Sequence, residues 1–530
     1  MTLLRCAVLI LALAPALTLA EEPLRNVIDR EVLKALQEQK IEPVGLADDA
    51  TFLRRVYLDI AGVPPDYATA REFLDDPDPA KREKLVEQLL AGERYANHQA
   101  DQWDVLLFTR DPANPSATRK RERFRAWLEE QFAQNVAYDE LARRILLAEE
   151  DDASMFHVQW RNQPEDETES FSRVFLGTQL GCARCHDHPF EDLTQEDFYG
   201  IAGFFVRLVV LQEKQGKETI YRMGEKSSGE VLFTGAVKDQ KPGQKGVPVR
   251  PRFLGGDHLD EPELPEGFEE PDYKKAKDTL PDPYFSRIGR LTDWLTSPEN
   301  PYFARAAVNR IWAQFMGRGL VHPVDNLKPD SVASHQQLLD ELTRQFVQHE
   351  FDQRWLIREL VLSESYQRDD AGPSDEASLK WYQRARVRPL SYEELVDSLR
   401  VATGFDNANE TDAKLPGSMA EYMIKIFGES ADGRGDFQGG IHEHLFLNFS
   451  SQLRGLIRPK EGNLTQVLLA SEAPWEERVD RLYLSTLTRL PSDAEREKFV
   501  DYITTAAEPD QRLEDAIWTL LNSSQFRFNY

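Results

Sequence analysis

The chain has 530 residues, of which 41% are hydrophobic, 10% aromatic and 29% charged, with 30 prolines; this is ample material for large cores and excludes a wholly disordered, collagen-like or membrane-embedded chain. Basic residues number 64 against 91 acidic ones, a net charge of −27, which argues against broad contact with a phosphate backbone and so against a nucleic-acid partner.

Residues 1–20 carry Arg5, an apolar run from Cys6 to Ala14, and Thr18-Leu19-Ala20 ahead of Glu21-Glu22. That is a secretory signal pattern, and the apolar run is short of the ~20 residues a spanning helix needs. The expectation is export to the periplasm or cell surface after cleavage at Ala20, with no integral membrane segment in the product. Cys6 leaves with the signal, so the mature chain keeps only Cys182 and Cys185.

From Leu24 to about Phe205 apolar residues recur three or four apart, as at Val27, Val32, Leu33 and Leu36 or Leu85, Leu89 and Leu90, and predict helices. Thr51 is placed to cap a helix carrying Phe52, Val56 and Ile60, which Gly62-Val63-Pro64-Pro65-Asp66 must stop. Arg55 and Asp59 stand at i,i+4 on that helix and predict a structural ion pair. Glu149-Glu150-Asp151-Asp152 reads as a solvated acidic loop rather than a pair of carboxylates set across a scissile bond.

Between 207 and 285 the texture changes. Thr219–Arg222 and Glu230–Thr234 alternate and are β-prone, with Gly229 between them, and Asp257–Pro283 is acidic, proline-containing and poor in apolar residues, as an exposed connector would be. Helical spacing returns at Phe303, Ala307, Ile311 and Phe315, with Ser297-Pro298 as an expected start. Ser391–Glu394 and Ser492–Glu495 fit capping boxes. Ala516–Leu521 reads as a final apolar helix, Gly404–Gly440 as a glycine- and acid-rich loop region, and Arg305, Asn309 and Arg310 as anchors of a domain interface. The expected fold is mainly α: a helical domain over 21–206, a small β region and connector over 207–285, and a second helical domain over 286–530.

The chemical signal lies at Gly181-Cys182-Ala183-Arg184-Cys185-His186-Asp187-His188-Pro189. Cys-x-x-Cys-His is the spacing that attaches c-type haem: two thiols about one turn apart form thioethers with the two vinyl groups, and the adjacent His186 reaches the iron. The apolar flank of Phe171, Val174, Phe175, Leu180, Phe190, Phe198, Tyr199, Phe204 and Phe205 suits a cofactor pocket, although aromatics at such spacing are as well explained by a core. Met155, His157, Met223 and His98 are candidate sixth ligands by residue type alone. Cys182, Cys185, His186 and His188 also suit zinc or another transition metal, and the two cysteines suit a disulfide. No Gly-x-Ser-x-Gly, Walker loop or His-Glu-x-x-His is present, which lowers the common hydrolase and nucleotide-binding readings.

The chain resembles a planctomycete cytochrome-like domain followed by a planctomycete-specific carboxy-terminal domain, both of unknown function. The strings that carry the resemblance are Leu53-Arg54-Arg55-Val56-Tyr57-Leu58-Asp59 with Gly62-Val63-Pro64-Pro65, Phe175–Leu180 running into Cys182–Phe190, Asn300–Trp312, Gly317–Val321 and Trp518–Phe528. The sequence departs from the pattern at Asp330–His335 and around Gly428–Phe437. The resemblance implies an exported, cytochrome-like protein with no settled substrate, associated with surface and polysaccharide-related gene products, and the Cys-x-x-Cys-His motif leads to the expectation of one covalent haem c. The expected activity is electron transfer or haem-based redox chemistry, with a redox partner that presents a basic face, or a surface polysaccharide or exported protein as partner. The alternative is a secreted scaffold or glycan-binding protein whose Cys/His motif holds a structural metal such as zinc.

Overall fold

The computed structural model describes residues 22–108, 115–187, 192–216, 218–233, 246–273, 275, 280–328, 332–404, 451–505 and 509–530. The expected signal peptide, His188, Phe190 and most of Gly404–Gly440 lie outside these residues.

Helices dominate. The first run comprises α1 (Leu24–Gln39), α2 (Asp49–Ala61), α3 (Tyr67–Asp75), α4 (Lys81–Ala91), α5 (Glu93–Phe108), α6 (Pro115–Ala133), α7 (Tyr138–Leu147), α8 (Met155–Val158), α9 (Pro164–Phe171) and α10 (Gln195–Phe205). The β region follows as β1 (Leu208–Gln215), β2 (Glu218–Glu225), β3 (Val231–Phe233) and β4 (Val247–Val249). Next come α11 (Arg287–Leu295), α12 (Phe303–Met316), α13 (Gln336–Gln348), α14 (Gln353–Val361), α15 (Glu364–Gln367), α16 (Glu376–Lys380), β5 (Arg388–Pro389) and α17 (Tyr392–Thr403). The chain closes with α18 (Ser451–Ile457), α19 (Leu464–Ala470), α20 (Trp475–Leu487), α21 (Asp493–Thr504), α22 (Pro509–Leu521), α23 (Ser524–Arg527) and β6 (Phe528–Asn529). The sheets among the described residues are three antiparallel pairs, β1–β2, β3–β4 and β5–β6. The fold is mainly α, as the spacing of apolar residues predicts.

Local chemistry accounts for the helix ends. Capping boxes open α10 at Thr194, α17 at Ser391 and α21 at Ser492, each satisfying two otherwise orphaned N–H groups. The cap of α2 is Asp48, which accepts from Thr51 N at 2.8 Å; the donor is the threonine's backbone amide, one of the first-turn N–H groups without an intrahelical partner, and the carboxylate also complements the helix dipole. Gly62 ends α2 at φ +71°, with the His98 ring 2.5 Å from where a Cβ would stand, so the backbone conformation and the space both require glycine. Ser297-Pro298 does not start a helix. Asn300 Oδ1 instead accepts from Tyr302 N and Phe303 N, both at 2.9 Å, and α12 begins at Phe303.

The hydrophobic core does not divide at residues 207–285. One core runs from Leu24 through Tyr382 and includes Leu484; a smaller one draws on Tyr392 through Phe526. Helices from both sides of the connector mix in the larger core, as where Phe303 of α12 packs on Tyr138 of α7 with ring centroids 5.1 Å apart, and where α1 packs on α13 and α14. Both sides supply apolar stripes that only the other can cover.

The connector itself is pinned. Glu261 pairs with Arg207 and Arg287, the latter buried and joined to Glu261 Oε2 at 2.7 Å. Glu270 accepts from Ser227 N at 2.9 Å and Ser228 N at 3.0 Å, and Tyr273 OH donates to the Glu225 carbonyl. Residues 262–267 are all exposed between these anchors. Limited proteolysis is therefore expected to cut first within 262–267, yet the two fragments should co-elute in native gel filtration because they share the larger core. Separate elution of folded fragments would contradict the shared core.

The i,i+4 pair expected between Arg55 and Asp59 is not made. Asp59 Oδ1 accepts from Arg388 Nη2 and Asn529 Nδ2, both at 2.8 Å, and Asp59 Oδ2 accepts from Tyr366 OH at 2.8 Å. Arg55 Nη1 donates to the carbonyls of Tyr366 and Arg368, and Arg54 Nη2 to that of Phe526, all at 2.8 Å. These buried groups of α2 thus tie the larger core to elements near the end of the chain, because burial leaves them no water to replace such partners.

Two carboxyls on α5 set a pH dependence. Burial pushes Asp101 and Asp104 up to about 6, against the pull of Arg125 and Arg121 on α6. A carboxyl whose folded pKa is raised binds its proton more tightly in the native state, so its contribution is full below about pH 4 and is lost as the pH rises through about 6. The double substitution Asp101→Asn with Asp104→Asn should flatten the fall in melting temperature between pH 4 and 6.5. An unchanged slope would remove these two groups as its cause.

Candidate functional site

Cys182 lies on a short 3₁₀ turn, Leu180–Arg184, and Cys185 and His186 follow it directly. Both cysteines are free thiols, and all three side chains are exposed. The turn is braced from two helices. Arg184 pairs with Asp166 of α9 at 2.6 Å; from α10, Gln195 Nε2 and Tyr199 OH both donate to the Arg184 carbonyl at 3.3 Å. Asp187 Oδ1 in turn accepts from Gln195 N at 2.9 Å. Gly181 approaches α9 closely: a Cβ there would stand 2.6 Å from the Glu169 carboxyl carbon, so that exposed side chain would have to shift.

His186 Nδ1 lies 2.7 Å from the Asp187 carbonyl oxygen. A carbonyl only accepts, so Nδ1 is the donor, and in the neutral ring the lone pair is on Nε2. This is the tautomer an Nε2-ligating histidine needs, with its second nitrogen held by a backbone acceptor.

The segment leading into the motif is unusual. Helix α9 runs into a π turn, Ser172–Leu176, closed by Gly177 N donating to the Ser172 carbonyl with Gly177 at φ +62°. Such turns are rare and cluster at functional sites. Arg310 of α12 donates to the carbonyls of Arg173 and Val174, so of the three expected interface anchors it is the one that reaches the motif's own segment; Arg305 pairs with Asp340 and Asn309 with the Val321 backbone. Thr178 Oγ1 donates to the Leu327 carbonyl at 2.8 Å, and Leu327 N to the Gly177 carbonyl at 2.8 Å. The motif is thus mounted on both halves of the chain.

Among the described residues the phenylalanines of the flank are core. Phe171, Phe175, Phe198 and Phe204 are completely buried, and Phe171 packs on Phe175 at 5.8 Å and on Phe205 at 5.4 Å. Self-packing already fills this space, so the pocket expected along the flank is not lined by these rings. Met155 and His157 are buried in the same core. Both ring nitrogens of His157 are engaged, Nδ1 with Glu167 and Nε2 with the Leu146 carbonyl at 2.9 Å, so iron ligation would break two buried bonds. His98 is buried on α5, its Nε2 3.8 Å from Glu394 Oε1; burial lowers its pKa. Met223 is half-buried on β2 opposite Val210. The acidic run at 149–152 is spoken for in part, Glu150 by Trp127 Nε1 at 2.7 Å and Asp152 by Arg123. Among the described residues no three His, Cys, Asp or Glu side chains converge as a metal-holding group; a closed zinc site needs four convergent donors, whereas covalent haem takes two thiols on its edge and one imidazole on its iron.

The residues present fit haem c in their donor set: two free thiols and an imidazole with its Nε2 lone pair unspent. The sequence motif identified these three; it did not identify the braces Asp166, Gln195 and Tyr199, for which the Thr194 capping box that starts α10 is the nearest signal.

Residues 27–209 match a family model described as PSCyt2, a protein of unknown function (DUF1549), and residues 287–430 match PSD1, a protein of unknown function (DUF1553). The chain therefore carries two domains of unknown function in that order. No curated protein and no solved structure matches it.

Proposed function

We propose that this is an exported protein that binds one covalent haem c and works in electron transfer or haem-based redox chemistry. The observation that carries the reading is the exposed Cys182-x-x-Cys185-His186 turn, with both thiols free and the His186 Nε2 lone pair available. Cys182 and Cys185 would hold the group through thioethers and His186 would ligate its iron, and the group when bound supplies one-electron chemistry. The chain's own residues orient it: Asp166, Gln195 and Tyr199 fix the turn, and the Asp187 carbonyl holds the imidazole proton on Nδ1.

Exposure of the motif suits exchange with a partner at the surface rather than chemistry in an enclosed chamber. With a net charge of −27, the partner should present a basic face, and the association should weaken as salt rises. Export agrees with the reading, as does the absence among the described residues of a helix long and apolar enough to cross a membrane. The resemblance to a planctomycete cytochrome-like domain supports a link to surface or polysaccharide metabolism. The test is a pyridine haemochrome on protein made in a host competent in haem attachment: a c-type spectrum at one haem per chain is expected, and a colourless, folded protein would overturn the proposal.

A further inference from the structure

A cavity opens where α2, the end of α12 and the strand β5 meet, away from the Cys-His turn in sequence and on different elements. The non-atom space at this opening, open solvent included, is about 390 Å³. Arg55, Arg384, Arg386 and Arg388 line it with Asp59. Three of the four arginines, Arg384, Arg386 and Arg388, come from one short segment that leads into β5. Phe315 and Met316 form an apolar wall opposite.

Two guanidinium groups that line the cavity keep an N–H without an acceptor. Asp59 is saturated by Arg388, Asn529 and Tyr366, and Arg388 also forks onto Glu394 at 2.7 and 2.8 Å. Arg55 is only 4% exposed; its Nε and Nη1 bond to backbone carbonyls, and its Nη2 is buried with no partner. Arg384 likewise spends Nη1 on the Asp370 carbonyl while its Nε is buried without one. Asp369 and Asp370 act on Arg55 electrostatically, but burial still holds its pKa below the ordinary value. A buried guanidinium N–H without an acceptor is costly, and guanidinium forks match planar and tetrahedral oxyanions.

From these observations we infer that the cavity is a binding site for the oxyanion group of a small ligand, phosphate or carboxylate, received by Arg55 and Arg384 with Arg386 at the rim. The site is independent of the haem proposal, since neither uses the other's residues. A ligand seated there bridges α2 to the 384–388 segment and stabilises the native state in proportion to its occupancy.

The test is titration of the full chain with inorganic phosphate at constant ionic strength, read by thermal shift and calorimetry, with benzoate as the organic carboxylate and chloride as the control. Phosphate should raise the melting temperature in a saturable way that chloride does not reproduce. Arg384→Gln and Arg386→Gln should each weaken phosphate binding about tenfold, the loss of one charge-assisted contact. Should Arg384→Gln fail to fold, Arg384→Lys, which keeps the charge and removes the fork, is read in the same way. Displacement of phosphate by benzoate assigns an organic carboxylate as occupant, and no displacement assigns a phosphate; both patterns support the site. Equal shifts with phosphate and chloride, or wild-type phosphate affinity in both the Arg384 and Arg386 variants, would overturn it.

Discussion

Cys182→Ser and Cys185→Ser should each abolish the doubly attached haem, and His186→Ala should shift or remove the Soret band of whatever haem is retained. A thioether requires a sulfur, so each serine variant leaves at most one attachment point, and the double variant leaves none. The histidine variant separates attachment from ligation, because the thiols remain while the iron loses its imidazole. All three side chains are exposed, so the apoprotein's folding free energy should change by no more than about 0.5 kcal/mol. That contrast makes the result readable: loss of haem without loss of fold assigns the site. Haem content equal to wild type in the two single serine variants, measured by absorbance and by mass, would exclude these residues as the attachment points.

The largest effect on stability is expected away from the motif's own elements, at Asp59 on α2. Removal of this carboxylate in Asp59→Ala strips Arg388, Asn529 and Tyr366 of a shared acceptor in a place where Asp59 is only 4% exposed. Breaking a buried, hydrogen-bonded pair from one side costs about 3–5 kcal/mol, and the loss should fall on the junction between the two cores. Denaturant unfolding of Asp59→Ala should therefore show the smaller core, Tyr392 through Phe526, melting ahead of the larger. A loss below about 1 kcal/mol with a single coincident transition would show that packing alone holds the junction.

The sequence conveyed local structure well and long-range structure poorly, for physical reasons visible residue by residue. The boxes at Ser391 and Ser492 are written in four consecutive residues, and they form. The cap of α2 is Asp48 and not the Thr51 that the sequence suggests, because both residue types cap and only the backbone geometry decides between them. Arg55 and Asp59 stand at a spacing that permits a pair, yet their partners lie hundreds of residues away, and no periodicity encodes that. The same limit hid the shared core: an apolar stripe such as Phe303 to Phe315 says that it must be covered, not by which helix. At the site, Cys182, Cys185 and His186 were legible because covalent haem demands a fixed local spacing. The sixth-ligand candidates were not, since residue type alone cannot distinguish a core histidine such as His157, engaged at both nitrogens, from one presented to a metal.

The pinned connector and the mounting of the motif through Thr178, Arg310 and Leu327 place the Cys-His turn on a scaffold built by both halves of the chain. Removal of residues 286–530 should accordingly deprive the turn of its support.

The central claim is covalent haem on this turn, and it is tested most directly by the intact mass of the chain secreted from a haem-attaching host, after acid extraction has removed any haem held without a bond. The account predicts a mass increased by one haem, absent from the Cys182→Ser, Cys185→Ser double variant. An unmodified mass, accompanied by one zinc per chain in the native protein, would contradict it.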